Sequence, residues 1–366
     1  MSSAAGSERA AVETLVRRIG ASAARSGRRL TFMEVCGTHT HAIARAGLRR
    51  LLPANVKLIS GPGCPVCVTP IDYMDRAVAL ARRADVTVCT FGDLMRVPSS
   101  SSSLERESAR GADARIVYSP RDVLRLARAE PRRTFVFLGV GFETTLPTIT
   151  AALEEAEATQ VENFLVLAGA KLIEPPLRAL IASGDVRVDG FLLPGHVSVI
   201  LGADFYRFLE RELRVPGAIV GFAPVDVLAG VAALVDAALR GGARVENLYA
   251  RAVRPEGNRV AQELLRRWFE PVDSRWRGLG EIPRSGLAFR RAFAHRDAAR
   301  LAVELDPPRE PRGCRCGDVL KGAIEPHECP LFDRTCTPTT PVGACMVSSE
   351  GTCAAWYRHE RVGASA

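Results

Sequence analysis

Apolar residues gather in short runs, and most of these runs are followed by a stretch with helical spacing. After an amphipathic N-terminal helix pattern, ERAAVETLVRRIGASAA, the run LTFMEV at 30–35 precedes a helical stretch from His39 to Leu52. VKLIS then precedes a helix through DYMDRAVALARRA, and DVTVCTF follows. This βαβαβ order predicts a parallel sheet with helices on its faces. The polar stretch at 97–114, VPSSSSSLERESARGADA, interrupts the pattern and is expected to be a mobile loop or a crossover.

A second alternating series follows. It comprises TFVFLGV, a helix over 144–158, NFLVLAG, a helix after EPPL, VDGFLLPG, a helix through ADFYRFLEREL, GAIVGF and a helix over 224–240. Beyond residue 241 only 256–270 looks helical, and 271–353 is rich in Pro, Gly and Cys with little periodicity. Such a segment cannot easily build an apolar core and calls for crosslinking. The expected architecture is α/β, with two doubly wound, Rossmann-like parallel-sheet domains at 1–120 and 121–240. A loop-rich, partly helical C-terminal domain follows at 241–366.

Composition narrows the functional classes. The chain has 366 residues, 47% of them hydrophobic, enough for more than one core. No apolar run is long enough to span a bilayer and the N-terminal stretch lacks a signal-peptide pattern, so a cytoplasmic protein without membrane association is expected. The net charge of +8 comes with dispersed arginine pairs and only 6% aromatics, which argues against nucleic acid as a partner.

Ten cysteines in a cytoplasmic chain point to metal binding or redox chemistry, because that compartment keeps thiols reduced. Cys314, Cys316, Cys329, Cys336, Cys345 and Cys353 fall in the C-terminal segment. They lack the paired CxxC knuckles of a zinc ribbon and the CxxCxxC run of bacterial ferredoxins. A cluster would therefore use thiolates widely separated in sequence, and spacing alone does not choose which four of the six bind.

In GPGCPVC, Cys64 and Cys67 form a CxxC at the start of a helix, where the dipole and free N–H groups would favour thiolate and suit dithiol exchange. They could instead bind metal together with Cys36, His39 or His41 of CGTHTH. Both loops follow strands, and loops after strand C-termini converge in doubly wound sheets. Cys36 precedes Thr38, a plausible N-cap, and would offer a soft thiolate ligand; His39 and His41 could ligate, carry protons or merely finish a helix start. Glu143 in GFETT is a candidate catalytic carboxylate or only a favourable charge at a helix N-terminus. His196 could contact a partner or cap a helix, Cys89 is expected in the core, and His327 could support a metal ligand.

Together CGTHTH (36–41), GPGCPVC (61–67), GFETT (141–145), PGHVSVI (194–200) and CTPTTPVGACMVSSEGTC (336–353) resemble the HypD family of hydrogenase maturation factors, over nearly the whole chain and in the family's order. The resemblance implies two α/β domains and a C-terminal [4Fe-4S] domain. It also implies a role in assembling the Fe(CN)2CO unit of [NiFe] hydrogenases, with a small HypC-like chaperone and a HypE-like cyanide donor as partners. By position in the motifs it assigns Cys329, Cys336, Cys345 and Cys353 to the cluster and Cys314 and Cys316 to a relay of thiols. Cys36, Cys64, Cys67 and His39 become candidates for the iron that carries CN and CO. The rival reading is a [4Fe-4S]-dependent thiol-disulfide oxidoreductase acting on a protein disulfide. A zinc-stabilised interaction module is a third.

Overall fold

The computed structural model describes residues 2–361. Its strands are β1 (Leu30–Glu34), β2 (Val56–Ser60), β3 (Val86–Thr90), β4 (Ala114–Ile116), β5 (Thr134–Gly139), β6 (Phe164–Ala168), β7 (Gly190–Pro194), β8 (Gly217–Val220), β9 (Val245–Asn247), β10 (Phe269–Trp276) and β11 (Gly280–Phe289). Two sheets are wholly parallel, with orders β2-β1-β7-β8-β9 and β4-β3-β5-β6, and β10 and β11 form an antiparallel hairpin. Every residue of β3 and β7 is buried, as strands covered by helices on both faces must be, and this is why they read as continuous apolar runs.

The expected α/β class with Rossmann-like sheets holds, but the sheets do not divide the chain at residue 120. β3 to β6 are inserted between β2 and β7, so the first sheet is completed only when β7 pairs with β1, Phe32 opposite Gly190. The chain leaves one sheet, builds the other and returns. In each sheet the order reverses beside the first strand, between β1 and β7 in one and between β3 and β5 in the other, and loops outside such reversals line crevices.

The serine stretch is an ordered crossover rather than a mobile loop. Ser100 donates to Asp75 from its backbone N at 2.7 Å and from its hydroxyl at 2.6 Å, and Ser103 caps the short helix Leu104–Ser108. ADFYRFLEREL is irregular, with a 3-10 turn at Asp204–Tyr206 and a π turn at Leu209–Leu213. The β10–β11 hairpin was hidden by Pro271 and Pro283, which demote a strand reading.

The C-terminal segment has no separate core. Cys316, Val319, Cys345, Met346 and Ala354 join Met33, Ile59, Cys67, Phe191 and Trp276 in one apolar cluster. Among the described residues no helix is long and apolar enough to cross a membrane.

Candidate functional site

Cys36 follows β1 by two residues and is the N-cap of the helix Gly37–Arg45, a place the sequence had suggested for Thr38. The loop GPGCPVC follows β2, the neighbouring strand, and the predicted adjacency of the two loops is present at the level of the backbone. Gly37 N–H donates to Gly63 O at 3.0 Å, and Gly61 N–H to Glu34 O at 2.8 Å. Gly63 is a glycine because nothing larger fits: a Cβ there would fall 2.1 Å from Cys36 N.

The chain supplies two carboxyls to Cys36 that the motif reading overlooked. Glu34, fully buried, accepts from Cys36 N–H at 3.1 Å and from the Thr40 hydroxyl at 2.6 Å, and burial raises its pKa to about 7. Glu350, from the far end of the chain, accepts from the Thr38 hydroxyl at 2.7 Å. Burial, seconded by these two charges, pushes the Cys36 thiol up to about 12 despite backbone N–H donation from His39 and Thr38. Cys36 is therefore a neutral thiol in the free protein, and a soft metal must displace its proton.

Cys64 caps the short helix Pro65–Val68 and accepts from Cys67 N–H at 3.3 Å. The expected dipole-stabilised thiolate does not apply to Cys67. That residue is fully buried, and burial lifts its thiol well above the ordinary range. Cys67 packs in the same apolar cluster as Cys345, which shares a pocket with Cys316 and Cys353. The CxxC loop is thus packed against the segment that carries the C-terminal cysteines.

All six C-terminal cysteines, with Leu331, Phe332, Gly343 and Met346, line one small enclosed pocket. Val342 N–H donates to Cys336 Sγ at 3.4 Å. Among the described residues no three Cys, His, Asp or Glu side chains are close enough to hold a single ion. A lone tetrahedral ion needs sulfurs about 3.8 Å apart, from Zn–S bonds of about 2.3 Å. A cubane is less demanding, since each thiolate binds a different iron at a separate corner. Six soft donors, apolar walls and an N–H···S donor fit an iron-sulfur cluster better than one ion.

The histidines divide. His39 is fully buried, its Nε2 against Gly221 O at 3.0 Å and its ring 4.9 Å from that of Phe222, so Nε2–H is the donor and Nδ1 is left without a partner. Burial lowers its pKa to about 4, which keeps the imidazole neutral and its free nitrogen a potential ligand. His196 is exposed and stacks on the same Phe222 at 4.1 Å. His41 meets His359 edge-on at 5.4 Å, and His327 is half-exposed beside Trp356 at 5.5 Å. Cys89 lies in the core of the second sheet, away from the other cysteines.

Glu143 does not join the cysteines. Buried to 2% exposure, it lies at an apolar cavity of about 720 Å³ formed with the helix Glu174–Ser183 and the hairpin. One oxygen accepts from Ile173 N–H at 3.0 Å, the other has no partner, and burial raises the carboxyl to about 7.

The family model HypD, described as the hydrogenase formation hypA family, matches residues 10–360. The chain is similar to the hydrogenase maturation factor HypD of Escherichia coli K12, 47% identical over 340 residues covering 91% of this chain and 90% of the relative. The protein of the same name from Rhizobium leguminosarum bv. viciae is 47% identical over 339 residues, 90% of this chain and 88% of that one. The one from Cupriavidus necator is 46% identical over 359 residues, covering 95% of each chain.

Proposed function

The chain belongs to the HypD family of hydrogenase maturation factors, and from that premise we propose that it scaffolds and reductively completes the Fe(CN)2CO unit of [NiFe] hydrogenases. It does so with a HypC-like chaperone and takes cyanide from a HypE-like donor. The observation that carries this reading is the proximity of Cys67 and Cys345, which brings together two cysteine sets far apart in the sequence.

Cys329, Cys336, Cys345 and Cys353 hold a [4Fe-4S] cluster, and Cys314 and Cys316 form the adjoining thiol pair. The cluster, when bound, supplies single electrons at low potential. Cys36 offers the incoming iron a soft ligand, with the backbone of the Cys64–Cys67 loop held against it through Gly37 and Gly63, and His39 Nδ1 is a further free donor on the same helix. Binding releases the Cys36 proton, and Glu34, whose pKa of about 7 is balanced near neutrality, is suited to take it. Burial of Cys36, Cys64 and Cys67 keeps water and stray oxidants from the bound iron.

Purification under anaerobic conditions tests the reading. Iron and sulfide in equal amounts in the chain alone, and one further iron with infrared bands of iron-bound cyanide and carbonyl when a HypC-like partner co-purifies, are the expected results. A brown protein that never shows those bands but reduces protein disulfides would favour the oxidoreductase. A colourless zinc protein would exclude both.

A further inference from the structure

Arg277 is a buried charge that the site described above does not use. It lies in the turn between β10 and β11, where Gly278, with φ of +72°, lets the backbone press onto Gly317: a Cβ on Gly278 would fall 2.3 Å from Gly317 Cα. Arg277 N–H donates to Val68 O at 2.9 Å, one residue beyond Cys67, and its Nη2 donates to Pro98 O at 2.9 Å. The turn is thus fastened to the CxxC loop on one side and to the Cys316 helix on the other.

The guanidinium is 2% exposed, while the carboxylate beside it, Glu310 at 3.7 Å, is 58% exposed. A pair so unequal in solvation leaves the buried cation largely uncompensated. Nη1 is buried without a hydrogen-bond partner, an uncommon state for a buried donor. Arg277 shares a pocket wall with Cys314, Cys316, Gly317 and Gly343.

We propose that Arg277 is a positioning residue for the redox group: its free Nη1–H donates to sulfur at the Cys314–Cys316 side of the cysteine pocket, and its charge raises that group's reduction potential. The inference rests on the [4Fe-4S] reading above. Reduction by one electron from dithionite adds one negative charge and makes or breaks no bond. A fixed cation in low dielectric stabilises the more negative state more, and hydrogen bonds to sulfur act in the same direction.

The test is a mediated redox titration, followed by electron paramagnetic resonance, of the anaerobically purified full chain and its Arg277→Gln and Arg277→Lys variants, with iron content and circular dichroism recorded for each. At the wild-type midpoint, Arg277→Gln is expected to lower the reduced-to-oxidised ratio at least tenfold, a shift of about 59 mV for one electron. Arg277→Lys should stay closer to wild type. Coincident midpoints in a wild type and a glutamine variant that both carry the cluster would overturn this inference alone. A lysine shift as large as the glutamine shift, or folded variants that hold no iron, would show that Arg277 only supports the loop. A wild type without iron and sulfide would overturn the cluster reading and this inference with it.

Discussion

Gly63 rests directly on Cys36: a Cβ on the glycine would fall 2.5 Å from Cys36 Cα. The obstacle is backbone, which cannot swing aside as a side chain does. Gly63→Ala should therefore separate the two loops at a cost of about 3 kcal/mol, lowering the melting temperature by something on the order of 10 °C. Hydrogenase maturation in a complemented strain should fall with it. A variant that melts like wild type would show that the loops are not held in contact.

Cys36 and Cys345 should fail in different ways. Cys36→Ala is expected to abolish maturation and leave the visible absorption of the cluster intact, because Cys36 lies outside the cysteine pocket. Cys345→Ala removes a thiol from the pocket shared with Cys316 and Cys353, and should bleach the protein and loosen its C-terminal segment. Visible spectra with iron assays separate the two, and a brown, stable Cys345→Ala protein would mean that other thiols hold the cluster.

Glu143 makes stability depend on pH in a stated direction. Its folded pKa of about 7 lies above the ordinary 4.5. Between those values the folded chain keeps a proton that the unfolded chain has released. Its contribution is thus fully present below the unfolded value, declines as pH rises, and is lost above about 7, a change of about 3 kcal/mol. Glu143→Gln cannot ionise. Urea unfolding at about pH 4 and about pH 8 should show the variant gaining about that much on wild type, and a constant gap would mean that Glu143 ionises alike in the folded and the unfolded chain.

Glu350 ties the last segment of the chain to the first functional loop through the Thr38 hydroxyl at 2.7 Å. Glu350→Ala should cost about 2 kcal/mol, the scale of a hydrogen bond to a charged group. It should also reduce maturation without loss of cluster iron. Loss of iron in step with activity would instead make Glu350 part of the cluster's support.

The parallel strands were legible because burial on both faces leaves runs such as TFVFLG and GFLLP with almost no polar residue. Their order was not, since nothing in the local pattern of β7 says that Phe32 will lie opposite Gly190. The candidate cysteines were legible as motifs, but the link between Cys67 and Cys345 joins distant parts of the chain and has no periodic signature. The prediction of an acidic thiol failed at Cys67 because a dipole argument from sequence cannot weigh full burial. Glu34 and Arg277 stood in no motif, Glu350 stood in one read only for its cysteines, and each acquires its role only from what folds against it.

The insertion of β3–β6 between β2 and β7 sets a timetable for biogenesis. On the ribosome, the loops bearing Cys36, Cys64 and Cys67 emerge early, yet the strand that seals their sheet comes a whole second sheet later, and Cys345 later still. Nascent chains must carry these thiols uncovered through that interval, open to premature oxidation or adventitious metals. A centre shared by these loops and Cys345 could not be seeded from the loops alone; it must await the segment that carries Cys345.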